Sequence, residues 1–221
     1  MRKVLIATPS YTGDVHIKYT SSLIDTYKMS ISKNVDINYA FTGGDALVQK
    51  ARNYLVTYAL NGGFDDIIFI DDDIVWDPAW IFKLLEYPVD AVGGVYRKKY
   101  DDKEEYAVRL IEPIQGDSRT GLMKADGLNT GFLRLSRKAI VALWSCSEPY
   151  KGGIIENERM IFDIKIEDGT LYSEDYVMSH KLKNLGFDLW IDSRMCCVHY
   201  GSKGFSGHFI KWLEDSGRFQ K

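Results

Sequence analysis

Nowhere do apolar residues run together for the roughly 18 positions that a membrane-spanning helix needs, so no such helix is expected. Cysteine is scarce. Cys146, Cys196 and Cys197 show no CxxC spacing, and an odd count with two adjacent members makes a poor disulfide framework, which fits a reducing compartment. Neither sign of charge dominates: the formal net charge is −3, and the largest basic group, Arg97-Lys98-Lys99, is short. A nucleic-acid footprint is thereby excluded, and any bound anion must be held locally. No Pro/Ser/Gly-rich linker, internal repeat or low-complexity tract breaks the 221 residues, so one well-cored domain over 1–221 is expected. The opening MRKVLIATPSYTGD carries two basic residues and only four apolar ones before Thr8-Pro9, too short for a signal peptide. The expectation is a soluble, cytoplasmic protein. What is present is an ordinary globular composition, 45% hydrophobic and 27% charged, which rules against a disordered chain.

Strand, loop and helix alternate through the first half. Val4 to Ala7 reads as a buried strand closed by Thr8-Pro9, and Asp14 to Ser30 as a helix with Tyr19, Leu23, Ile24 and Tyr27 inward. A second strand, Val35 to Phe41, ends in Thr42-Gly43-Gly44. Asp45 then caps a helix whose inward stripe is Leu47, Ala51, Tyr54, Leu55 and Tyr58, stopped at Asn61-Gly62-Gly63. Ile67 to Ile70 is a third apolar run, and Asp77-Pro78 opens a helix to about Tyr87. This alternation predicts an α/β domain with a mostly parallel sheet covered by helices, in which ligands bind at the carboxyl ends of the strands.

The second half is less regular, and a mixed sheet is expected there. Ala91 to Val95, Tyr106 to Ile111, Asp188 to Ile191 and Met195 to Tyr200 read as strands, and Gly127 to Leu135 as a turn and strand. Arg137 to Trp144 and Phe209 to Asp215 read as short helices. Tyr150 to Leu171 is a long polar loop with room for short strands. Ser173 caps a helix with Glu174 and Asp175 in its first turn and Gly186 just past its end.

Three groups of residues carry chemistry. Asp71-Asp72-Asp73 follows the third strand directly; on extended backbone Asp71 and Asp73 share a face and converge on one hard cation, Mg²⁺ or Mn²⁺, while Asp72 points elsewhere. An acidic turn with no ligand is the plain alternative. Ser173-Glu174-Asp175 reads as dipole-complementing caps, yet an ionised carboxylate facing a cleft also accepts a proton from an attacking hydroxyl. His199 is followed by Gly201, Ser202, Lys203 and Gly204, whose backbone N–H groups, hydroxyl and cation suit phosphate oxygens. An imidazole there completes the coordination of a phosphate-bound metal.

Taken together these residues resemble the nucleotide-sugar glycosyltransferases of the GT-A class, particularly small viral and phage members. The resemblance runs from Ala7-Thr8-Pro9-Ser10-Tyr11 through Ala51-Arg52-Asn53, the Asp triplet, Gly93-Gly94-Val95-Tyr96, Asn129-Thr130-Gly131-Phe132 and Ser173-Glu174-Asp175 to His199-Tyr200-Gly201. It implies a Rossmann-like single domain with a nucleotide-binding half, 1–100, and an acceptor and catalytic half, 101–221. Asp71 and Asp73 look like the DxD pair and His199 like the C-terminal metal ligand, around Mn²⁺ or Mg²⁺. Thr8, Pro9, Tyr11, Arg52, Asp71, Asp72 and Lys203 fall on the nucleotide side, Lys203 towards the diphosphate. Asn129, Thr130 and Gly131 match the segment lining the sugar and acceptor cleft. Asp175 sits where inverting members place the base, with Glu174 beside it. Trp76, Trp80 and Tyr96 are open to either sugar stacking or core packing.

The implied reaction is metal-dependent transfer of a hexosyl group from a nucleotide-sugar, a UDP-sugar by preference, to a hydroxyl of a glycan or glycoconjugate. The cytoplasm expected from the cysteine pattern would be that of a host if the source is viral, and membership of a larger multidomain glycan-synthesis polypeptide is left open. Two other readings stay open. IIFIDDDIV also resembles the first motif of haloacid-dehalogenase phosphatases, with Asp71 as nucleophile and Asp73 as acid/base. A sugar-nucleotide or carbohydrate-binding domain without turnover is the other.

Overall fold

The computed structural model describes residues 1–114, 116 and 120–219. Elements in chain order are β1 (Arg2–Pro9), α1 (Ile17–Lys33), β2 (Val35–Thr42), α2 (Val48–Asn61), β3 (Asp66–Ile70), β4 (Ile74–Val75), α3 (Pro78–Glu86), β5 (Ala91–Tyr96) and β6 (Arg109–Leu110). They continue as β7 (Leu122–Gly127), β8 (Phe132–Ser136), α4 (Arg137–Cys146), β9 (Lys165–Glu167), β10 (Thr170–Tyr172), α5 (Glu174–Asn184), β11 (Leu189–Tyr200), β12 (Gly204–Phe205) and α6 (Phe209–Asp215). The main sheet runs β2-β1-β3-β8-β5-β11-β7-β6, and along it every strand but β8 and β7 points the same way. This is the mostly parallel, mixed α/β sheet flanked by helices that the alternation implied. No helix among the described residues is long and apolar enough to cross a membrane.

Alternation along the central strands splits the core in two, because successive side chains of a strand point to opposite faces. Leu5, Ala7, Ile67, Phe69 and Leu133 pack on one face with Leu55 of α2, Ile140 of α4 and Met178 of α5. Val4, Ile6, Ile68, Ile70 and Phe132 pack on the other with Tyr19 of α1 and Phe82 of α3. Trp76 belongs to this second core, its Nε1–H donating to Thr26 Oγ1 at 3.0 Å.

The buried face of α1 differs from the stripe read in the sequence. Tyr19, Ser22, Thr26 and Ser30 face inward, while Ile24 and Tyr27 are exposed. Small hydroxyl residues are tolerated there because they find partners: Ser22 Oγ donates to the Trp76 carbonyl at 2.8 Å and Thr26 Oγ1 to that of Ser22 at 2.8 Å. On α2, Leu47 and Tyr58 are likewise exposed, and Arg52 and Asn53 are buried instead. Asp45 accepts from the Leu47 N–H at 3.0 Å, just ahead of the helix. Only Arg109–Leu110 of the expected strand at Tyr106 to Ile111 forms, whereas Leu189 to Tyr200 is one strand whose register with β5 shifts between Ile191 and Cys196.

One buried ion pair ties three central strands. Asp66 of β3, 0% exposed, accepts from Arg134 Nε of β8 at 2.6 Å and from Arg2 Nε of β1 at 2.5 Å. Removing one partner of such a cluster leaves an uncompensated buried charge. Asp66→Ala is therefore expected to lower unfolding free energy by about 3–5 kcal/mol in urea denaturation. A loss below about 1 kcal/mol, the size of a surface ion pair, would refute that account.

Candidate active site

The strand β3 ends at Ile70 and the chain turns at once. The Ile74 N–H donates to the Asp71 carbonyl at 3.1 Å, so Asp72 and Asp73 are the central residues of a tight turn, a setting that favours aspartate. The turn carries the chain into β4, which pairs antiparallel with the end of β11, His199 opposite Ile74. The Tyr200 N–H donates to the Asp73 carbonyl at 2.8 Å. Backbone pairing thus delivers a residue of the first half and one of the last twenty-odd positions to the same place.

Because the backbone turns here, Asp71 and Asp73 do not share a face as they would on an extended strand. Each carboxylate of the triplet has its own partner. Asp71 accepts from Arg52 Nη2 at 3.0 Å. Asp72 lies towards Ser10, and burial, with the Asp73 and Asp71 charges added, lifts its pKa above the ordinary value against that hydroxyl. Asp73 has His199 Nε2 3.4 Å from Oδ1 and the Lys99 ammonium on Oδ2. Burial works to raise the Asp73 pKa, but His199 and Lys99 outweigh it and hold it low.

The His199 ring is oriented by its other nitrogen, Nδ1, 3.0 Å from the Arg97 carbonyl oxygen. A carbonyl only accepts, so Nδ1 bears the hydrogen. A protonated ring donates from Nε2 to the carboxylate oxygen 3.4 Å away, the state in which His199 lowers the Asp73 pKa, whereas in a neutral ring Nε2 aims a lone pair at that oxygen. Two acceptors facing one another are stable only with a proton or a cation between them. An oxygen and an imidazole nitrogen oriented from behind by a carbonyl are a donor set that suits a divalent metal. Asp71 is committed to Arg52, so the structure assembles two of the three ligands read from the sequence; among the described residues no cluster of three or more His, Cys, Asp or Glu forms.

Arg52, 5% exposed, bridges the halves: Nη2 holds Asp71 and Nη1 holds Glu174 at the start of α5. Burial disfavours its charge, and the two carboxylates outweigh that and raise its pKa. Arg52 and Glu174 therefore act on each other. Asp175 stands in the same first turn, its Oδ1 accepting from the Ser173 hydroxyl and from the Tyr176 N–H at 2.8 Å. Burial, helped by the Glu174 charge, raises the Asp175 pKa against those bonds.

The remaining residues border this core. Thr8 is buried with its hydroxyl 2.5 Å from Tyr19 Oη, and Pro9 is buried beside it. Tyr11 is 69% exposed at the carboxyl end of β1. Gly131 carries the carbonyl that receives the Asp71 N–H at 3.2 Å, and a Cβ there would lie 2.5 Å from Tyr96 Oη, so glycine is required by close approach. Asn129 and Thr130 are buried, Asn129 Nδ2 donating to the Ala107 carbonyl. Tyr96 is buried, edge-on to His199 with centroids 5.0 Å apart. Lys203 is paired with Asp101, and the cation at Asp73 is Lys99. Lys99 was visible in the sequence only as a member of the basic trio at 97–99.

No protein-family model matches the sequence, and no curated protein matches it. Among solved structures, the chain is similar to A197 from STIV, 17% identical over 91% of this chain and 86% of that one, with a TM-score of 0.55. The fold is thus one that a solved structure also has. Lower scores relate it to the Drosophila beta-1,4-galactosyltransferase 7 in complex with manganese, UDP-Gal and xylobiose (13% identical, 100% of this chain, 76% of that one, TM-score 0.49). They also relate it to a glycosyltransferase involved in glycosylation of the PBCV-1 major capsid (10% identical, 66% of each chain, TM-score 0.36).

Proposed function

We propose that this chain is a metal-dependent glycosyltransferase that moves a sugar from a nucleotide-sugar, of the UDP class, to a hydroxyl of a glycan or glycoconjugate acceptor. The observation that carries the reading is the Asp73–His199 pair, with Nδ1 held by a carbonyl and Nε2 3.4 Å from the carboxylate. Asp73 and His199 would hold a divalent ion, which when bound would supply electrostatic stabilisation for the charge that develops on a departing diphosphate.

The chain's own groups account for the rest. Tyr11 offers an exposed ring at the carboxyl end of β1 for a nucleotide base. Lys99, on the outer oxygen of Asp73, places a second positive charge beside the phosphates. Asp175 takes the proton of the attacking hydroxyl on Oδ2, the oxygen that its two hydrogen bonds leave free. Arg52 positions both sides, fixing Asp71 and, through Glu174, the first turn of α5.

The phosphatase reading needs Asp71 as a nucleophile, and its Oδ1 is instead engaged by a buried guanidinium. The test is nucleotide release from a panel of UDP-, GDP- and dTDP-sugars with Mn²⁺ or with EDTA. Release is expected in the Mn²⁺ arm and its loss in EDTA. Phosphate release from simple phosphomonoesters without nucleotide-sugar turnover would replace the reading with the phosphatase, and metal-dependent binding without release would leave a binding domain.

A further inference from the structure

Beside the candidate base lies a cationic and aromatic surface that none of the roles above uses. Arg109 stands on the edge strand β6, opposite Gly127 of β7. A Cβ at Gly127 would fall 2.4 Å from the Tyr176 ring, so that ring lies directly on bare backbone. Arg109 in turn covers it, Cζ 3.9 Å from the Tyr176 centroid and 5.7 Å from that of Tyr172. Arg109 is exposed, and among the described residues it makes no ion pair. The acids of the adjoining elements are committed elsewhere, Asp126 to Lys183 and Asp175 to Ser173 and the Tyr176 N–H.

Chain connection and one hydrogen bond tie this surface to the candidate site. Tyr176 follows Asp175 in the chain, and the carbonyl of Ala107, two residues before Arg109, receives Asn129 Nδ2. That bond fixes the Asn129 amide, and Asn129, 4% exposed, is left with Oδ1 unpartnered among the described residues. A buried acceptor without a donor is costly unless something brings one. A guanidinium stacked on a tyrosine keeps its planar donors at the rim, where they match a carboxylate or a phosphate in two-pronged fashion.

We propose that Arg109, with Tyr176 and Tyr172, is the binding site for an anionic saccharide acceptor, one bearing a carboxylate or a phosphate, and that Asn129 Oδ1 receives one of its hydroxyls. The word acceptor rests on the transfer reading; the anion-saccharide site does not. Tyr172 and Tyr176 hold the guanidinium in place, and Arg109 supplies the charge selection.

The test is ligand-observed NMR titration of the whole chain with methyl glucuronide, methyl glucoside 6-phosphate and methyl glucoside. At least one anionic probe is expected to bind about tenfold or more tightly than the neutral one, as a charge-assisted pair implies. Whichever probe shows the preference identifies the anion. Arg109→Gln should erase the preference and Arg109→Lys should keep part of it, both variants giving the wild-type circular dichroism spectrum. Equal affinities for all three probes, no binding of any up to their solubility, or a preference that survives Arg109→Gln would overturn the site. Binding does not require turnover, so an Arg109-dependent preference without nucleotide release leaves the site standing and removes the transfer reading, and the opposite result does the reverse.

Discussion

Asp73→Ala is expected to reduce Mn²⁺-dependent nucleotide release on the order of 10³-fold or more, because it deletes one of two side chains that can hold the ion. The effect on folding should be small. Asp73 is partly exposed in a turn, its contacts with Lys99 and His199 are of the half-solvated kind worth about 1 kcal/mol or less, and the turn's own hydrogen bond is made by backbone. The variant should also bind Mn²⁺ more weakly, which paramagnetic broadening of the His199 resonances would register without any turnover. Release above a tenth of the wild-type rate that stays EDTA-sensitive would move the metal elsewhere. An equal loss of stability and rate would make the turn structural.

Asp73 differs from its neighbours for a reason that sequence spacing does not contain. Asp71, Asp72 and Asp73 are chemically identical, and the assumption of extended backbone put the first and third together. The Asp71–Ile74 turn sends them to Arg52, Ser10 and His199 respectively, so the tertiary pairing of β4 with β11 decides which one faces the histidine. The pairing of Asp73 with His199 was nonetheless expected, because the family resemblance carried by the order of motifs implied it. Strand β3 and the helix after Asp77-Pro78 were legible for local reasons: a continuous apolar run, and a cap whose carboxylate accepts from the Ala79 N–H at 2.9 Å.

Other features depended on partners remote in sequence. The inward face of α1 is Tyr19-Ser22-Thr26-Ser30, and hydropathy cannot mark a serine as buried when the Trp76 carbonyl that satisfies it lies 54 residues on. Lys203 sits in a segment with the right chemistry for phosphate, yet it meets Asp101 of the loop after β5, and the same loop brings Lys99 to Asp73. Arg52 read as a nucleotide neighbour from its helix; its burial between Asp71 and Glu174 makes it the tie between the two halves of the site. Arg109 carried no signal at all, being one arginine in a stretch expected to be strand.

Asp175→Asn separates chemistry from capping more sharply than any other change. Asparagine keeps an oxygen for the Ser173 hydroxyl and the Tyr176 N–H, so the first turn of α5 should persist, while the proton acceptor is gone. The rate of transfer is expected to fall about 10²- to 10⁴-fold, the range of a general base. Burial raises the Asp175 pKa, so the acid limb of the wild-type rate profile should lie above the ordinary carboxylate value, with activity falling as pH drops through the folded-state pKa. The same shift sets the sign for stability. A carboxyl whose folded pKa exceeds its unfolded one contributes stability that is fully present below the unfolded pKa and is lost as pH rises through the folded pKa. At neutral pH the ionised Asp175 therefore strains the fold, and the asparagine variant should be at least as stable as wild type there, with that advantage vanishing on acidification. Rate profiles and urea midpoints measured on the two proteins across pH check both halves. A variant that loses activity together with stability would reduce Asp175 to a helix cap, whereas lost activity with retained or improved stability identifies a carboxylate kept at an energetic cost for the proton it takes.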